Sequence, residues 1–271
     1  MARKPAFIRN SMAREAQIQV RMLTKLERSF RKSASMAVMD ECNRLLAHYR
    51  ITGEIPQPNA EDRDRFEKLY FNMALRASTS FGSRIVTQGK AFGFEIETKE
   101  GFWARLFHDL AFDWISQEAI RRRITSVTET TRNLITRRVE EGQAAGLGVD
   151  AIASTIAKQV PGIARGRGAL IARTETHGAA NFASFQSAKK TGLELRKFWN
   201  ATYDARTRGA DDEFNHVAMD GQSRAMDEPF EMPWASNDPL LIQYPGEAGH
   251  PGGATINCRC AVVFRPVGLD D

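Results

Sequence analysis

No apolar run in this 271-residue chain approaches the roughly 18 residues that a membrane-spanning helix needs, which excludes the helical membrane-protein class. Cysteine is scarce: Cys42, Cys258 and Cys260 are too few for a disulfide scaffold. The first ten residues are basic, but no signal-peptide h-region follows them, because Arg14, Glu15 and Arg21 interrupt. The expectation is a protein that stays in the cytoplasm where it is made, a compartment in which disulfides are rare. Internal repeats and low-complexity tracts are absent, which argues against a solenoid. No nicotinamide-binding signature is present.

What is there is ordinary globular material. Hydrophobic residues make up 42% and charged residues 26%, enough for a sizeable core. Net charge is +5, and the chain's pI near 9.2 suits polyanions without requiring them. The positive charge is concentrated at the front: residues 1–50 hold eleven basic and four acidic side chains, so the remainder is slightly acidic.

The first fifty residues read as helix, with Met22, Leu26, Phe30, Met36, Met39, Leu45 and Leu46 at helical spacings. A breaker at 53–58 precedes a second helix that starts at Asn59 or Glu61 and runs toward Leu75. Residues 80–101 are glycine-rich and predict a short hairpin or a loop. From Phe102 to about Ala145 the helical period returns, with a break near Ser116 or Ser126. A short helix over 149–159 should stop at Pro161-Gly162, and another should run from about Ala164 to Lys190. Residues 193–271 hold six of the ten prolines, and 195–203 and 254–264 read as strands. The fold class expected is α+β: a mostly helical N-terminal region, residues 1–115, followed by a compact mixed domain, residues 116–271.

Several groups carry chemistry. Exposed arginines suit phosphate through their bidentate fork, and the candidates for contact with double-stranded DNA are Arg21, Lys25, Arg28, Arg31, Lys32, Arg121, Arg122 and Arg123. For each basic run the alternative is a solvated helix face paired with local glutamates. In a strand, Cys258 and Cys260 point to one face. Zinc takes four N/S ligands, and His216 and His250 are the histidines to complete the set. The alternative is two buried thiols, with His216 bonded to a carboxylate. Arg173 and Glu175 sit on a helix otherwise lined with small residues. They read as a buried ion pair, with Asp204 or Arg206 as further partners, or as a catalytic Arg/Glu pair. Asp220-Gly221 and Tyr244-Pro245-Gly246 read as turns.

In order, the chain shows Ala172-Arg173-Thr174-Glu175, then Trp199 with Asp204, Arg206 and Arg208, then His216 with Asp220-Gly221-Gln222, then Pro245-Gly246, and finally Asn257-Cys258-Arg259-Cys260. This series resembles the phage Mu F-like family of minor head proteins over roughly residues 120–265. It departs from the family pattern in extra residues at 209–215, in Met219 where leucine is usual, and in Glu247 where aspartate commonly follows the glycine. The resemblance implies a non-enzymatic assembly protein of a tailed-phage virion, inside the capsid at the portal vertex and in the host cytoplasm during assembly. It implies contact with portal protein, with major capsid or scaffold protein, and with packaged DNA, and no membrane. Arg173, Glu175, Asp204, Arg206, His216 and Asp220 then form a structural polar cluster. The competing reading is an ADP-ribosyltransferase-like or metal-dependent enzyme carried in the virion.

Overall fold

The computed structural model describes residues 4–96, 101–204, 207–235 and 237–268, with only the backbone for residues 4–13. Helices occupy the front of the chain and small antiparallel sheets the back, which is the α+β class expected. The helices are α1 (Lys4–Thr52), α2 (Ala60–Ala77), α3 (Ser83–Ala91), α4 (Phe102–Ser116), α5 (Glu118–Ala144), α6 (Val149–Lys190) and the short α7 (Gly252–Thr255). The strands are β1 (Leu195–Asn200), β2 (Ser223–Ala225), β3 (Phe230–Trp234), β4 (Asn237–Ile242) and β5 (Ala261–Pro266).

Two compact units are built from interleaved stretches. One combines Met1–Glu27, Met73–Trp114 and Arg173–Asp271; the other combines Arg28–Asn72 and Ile115–Ala172. One edge between the units falls at 114/115. The chain recrosses, however, because the long helices α1 and α6 each lend residues to both units.

In the all-helical unit, α1 buries Ala34, Val38, Cys42, Leu45 and Tyr49 at spacings of three and four. Met36, counted by periodicity as core, is exposed instead, because the buried stripe passes through the smaller Ala34, Ala37 and Val38. α2 begins with a reciprocal cap: the Asp62 backbone N–H donates to Asn59 Oδ1 (2.9 Å), and the Asn59 N–H donates to Asp62 Oδ2 (3.0 Å). Arg44 Nε then donates to Asp62 Oδ1 at 2.8 Å. Burial pushes the Glu41 carboxyl up to about 7, against a hydrogen bond from Thr131.

α6 corrects one expectation. It does not stop at Pro161 but runs unbroken from 149 to 190. Pro161 and Gly162 lie on the exposed face, where water can take the hydrogen bond that proline forfeits. Ile152, Ile156, Val160 and Ala164 keep an apolar stripe buried beneath them, and tertiary burial outweighs the local breaker.

In the mixed unit, residues 83–91 form α3, not a hairpin or loop, because Ile85 and Gly89 share one buried helical face. β1 is the centre of a sheet ordered β2-β1-β5, antiparallel throughout, with Phe198 opposite Ser223 on one side and Val263 on the other. β3 and β4 make a separate hairpin. Both strands are shorter than the sequence reading: β1 ends at Asn200, and β5 begins only at Ala261.

Gly168 sits where a Cβ would meet the backbone N of Ser35 at 2.5 Å, whereas a Cβ at Gly166, on the same helix, meets nothing within 4 Å. Gly168→Ala is therefore expected to lower stability by about 1–3 kcal/mol through overpacking. Gly166→Ala should raise it by about 1 kcal/mol through helix propensity. Urea unfolding of the two variants checks the contrast, and equal shifts would contradict the close approach.

Candidate functional site

Every residue of α6 from 171 to 185 is buried, and seven of these fifteen are polar or charged: Arg173, Thr174, Glu175, Thr176, His177, Asn181 and Ser184. A buried polar group without a partner costs about 1–3 kcal/mol, so this helix can be buried only where the chain answers it. The segments that answer it are those singled out in the sequence.

Arg173 is 8% exposed, and its Nε and Nη2 reach Glu27 Oε1 at 3.2 and 3.1 Å. Its Nη1 donates to Asn257 Oδ1 at 2.6 Å. Arg173 is thus ion-paired with Glu27 of α1, a partner the sequence reading did not include. Arg206 lies outside the described residues. Asn257 adopts φ +62°, a left-handed conformation that asparagine tolerates better than most side chains. There its backbone N–H donates to Thr174 Oγ1 at 3.2 Å.

Two turns further along α6, Asn181 Nδ2 donates to the Cys260 carbonyl (3.1 Å), and Asn181 Oδ1 accepts the Val262 N–H (3.0 Å). The turn Tyr244-Pro245-Gly246 docks between these points. Its Glu247 N–H bonds back to the Tyr244 carbonyl at 3.2 Å, and Gly246 has φ +79°. A Cβ at Gly246 would come within 3.2 Å of the Gly178 Cα, so glycine is required there twice over. The Tyr244 ring packs on Phe182 and Phe185.

The neighbouring loop is tied to the same centre. Asp220 Oδ1 accepts the Ala201 N–H at 2.8 Å, and its Oδ2 accepts the Tyr203 hydroxyl at 3.1 Å. Gly221, at φ +76°, donates to the Trp199 carbonyl. Asp204 pairs with Arg259 and takes the Thr207 hydroxyl, so it belongs to a different pairing from Arg173. Glu175 is buried. Of the six residues expected to cluster, Arg173, Asp204, His216 and Asp220 are anchored, directly or through Asn257 and Arg259, to residues 199–203 or 256–260.

His216, Cys258 and Cys260 converge. The His216 Nδ1 lies 3.6 Å from each sulfur, and all three residues are at most 4% exposed. The cysteines are not in a strand but in the extended stretch just before β5. His250 is elsewhere: its Nε2 faces Glu247 Oε2 at 3.1 Å. Among the described residues His216 meets no carboxylate; its Nε2 faces the Gly253 carbonyl at 3.4 Å. A hydrogen bond from Cys260, supported by His216, holds the Cys258 thiol well below its ordinary pKa, while the same partnership raises Cys260. A cleft of about 220 Å³ reaches this trio and is lined also by Asp204, Thr207, Arg208 and Arg259.

Sequence reasoning missed three residues that hold this centre. Glu27 is one of four acids in a strongly basic helix, and nothing local sets it apart from Glu15, Asp40 and Glu41. Asn181 carried no signal. Lys197 is buried over the faces of Phe185 and Phe230, donates to the Gln243 carbonyl (3.0 Å) and side chain (2.6 Å), and is lowered by burial to about 8.

The DNA candidates divide by exposure. Arg21 and Lys25 are exposed in the mixed unit; Arg28, Arg31, Lys32, Arg121 and Arg122 are exposed in the helical one. Arg122 pairs with Glu118 at 3.0 Å, and Arg123 is half-buried.

The model of the family described as phage Mu protein F like protein matches residues 133–263, a little under half of the chain. That stretch contains the polar buried helix, the Tyr244-Pro245-Gly246 turn and the closing Asn257 to Cys260 segment, so over these residues the chain is similar to that family. No curated protein and no solved structure matches the chain.

Removing one member of a buried ion pair strands the other charge. Arg173→Ala is expected to cost about 3–5 kcal/mol, and Arg173→Met combined with Glu27→Leu to recover most of that. Chemical denaturation of the single and double variants measures it. A single variant as stable as the parent would contradict the pairing.

Proposed function

We propose that the protein is a minor structural protein of a phage head. It sits inside the capsid at the portal vertex, works with portal and with major capsid or scaffold protein during assembly, and touches the packaged double-stranded DNA. The observation that carries this reading is the family match over residues 133–263, because it falls on the segments whose side chains interlock. Those segments build a rigid body, which suits a virion part. The exposed Arg28, Arg31 and Lys32 give one helix a cationic face for phosphate contacts that carry no sequence preference.

The competing reading is an enzyme carried in the virion. Its transferase form needs Arg173 and Glu175 in an open cleft. Both are buried, and Arg173 is engaged with Glu27 and Asn257, which weighs against it.

Two measurements test the proposal. Cells producing the phage without this protein should make the other head proteins yet lose infectious particles, with recovery from a plasmid copy. Normal particle yields would contradict a head role. Binding of the purified chain to duplex DNA should weaken as salt rises, and Arg28→Glu/Arg31→Glu/Lys32→Glu should make the log–log salt slope shallower by roughly 2 to 3, at about 0.9 per phosphate contact. An unchanged slope would remove the DNA contact.

A further inference from the structure

We propose that His216, Cys258 and Cys260 hold one zinc ion, which staples the loop after β1 to the segment entering β5. Around a tetrahedral zinc, with Zn–N near 2.0–2.1 Å and Zn–S near 2.3 Å, a nitrogen and a sulfur ligand stand about 3.6 Å apart. The His216 Nδ1 lies 3.6 Å from Cys258 Sγ and 3.6 Å from Cys260 Sγ. The two distances are equal, as one ion held by all three atoms would make them, whereas one ring nitrogen makes a full hydrogen bond to only one sulfur at a time. A single ion satisfies all three atoms together.

The surroundings fit as well. Metal-bound histidines direct their other ring nitrogen to an acceptor that fixes the tautomer, and the His216 Nε2 faces the Gly253 carbonyl at 3.4 Å. Trp199 packs edge-on against the His216 ring and holds its plane. The Asn181 amide grips the Cys260 carbonyl, fixing the backbone between the two cysteines and β5. The donors, one imidazole and two thiolates, are soft and borderline, which favours zinc over magnesium or calcium.

Three protein ligands leave a fourth position, which falls on the cleft that reaches all three of them. Asp204, the carboxylate lining that cleft, is engaged with Arg259, so water completes the shell. The two arms of the staple are 42 and 44 residues apart in sequence, so the ion closes a long loop whose entropy would otherwise oppose folding. Loss of the ion does not touch the exposed basic residues, so this proposal stands or falls independently of the virion role.

The test is metal analysis of the full-length, untagged chain purified without chelator. About one zinc per chain is expected in the parent and in His250→Ala, and none in Cys258→Ser/Cys260→Ser. Because the serine variant can lose metal by misfolding, His216→Cys is the control: a three-thiolate site should keep the zinc, whereas His216→Ala should lose it. Cobalt(II) refolded into the parent should give the intense visible absorption of a tetrahedral thiolate site, altered in His216→Cys. A parent free of zinc after refolding with zinc and reductant, or a double-serine variant holding as much zinc as the parent, would overturn the assignment.

Discussion

A helix buried on all its faces keeps its charged and amide side chains at least cost where other parts of the chain supply partners, and Arg173, Thr174 and Asn181 of the buried stretch 171–185 of α6 have them. The rest of the mixed unit follows from that demand. Arg173 requires an acid and finds Glu27; Thr174 and Arg173 together hold Asn257; Asn181 clamps the chain on both sides of Ala261. The residues between these clamps, Cys258 to Cys260, are thereby delivered to His216. The small residues of the helix matter as much as the polar ones. Gly178 lets the Gly246 turn approach at backbone distance, which places Tyr244 on Phe182 and Phe185.

This logic explains why the chain's motifs are short and far apart. The Asn257 and Cys260 segments and the Gly246 turn each dock at a different point of one helix. Arg173 carries a charge into the interior but spends it on an internal pair, and the strongest convergence of reactive side chains, the histidine with two cysteines, is buried beside a small cleft. The head role proposed above calls for a body that keeps its shape while its surface meets partners, and a core locked by polar contacts at fixed positions specifies a single arrangement.

Much of this was legible in sequence. The α+β class, the break at Ser116 and the Pro-Gly turn at 245–246 followed from periodicity and turn chemistry, and the motif series pointed to the phage Mu F-like family that residues 133–263 match. The misses have physical causes. Pro161 looked like a stop because local propensity was weighed without knowing that the apolar stripe beneath it is buried. Residues 83–91 looked like a loop because glycines read as breakers when the element they pack against is unknown. His250 was an equal candidate with His216, since chain order says nothing about which ring reaches the sulfurs. The partner of Arg173 lies 146 residues away on another helix, and no local pattern marks such a pair.

The claim that α6 and the 257–262 segment form one interlocked body is tested most directly by native-state hydrogen exchange of the full chain. The amides of residues 173–185, of Asn257 and of Val262 should exchange through a common opening of the same free energy. Asn181→Ala should speed Val262 and its neighbours together with the helix. Exchange at Asn257 and Val262 that is orders of magnitude faster than in the helix, and indifferent to Asn181→Ala, would contradict it.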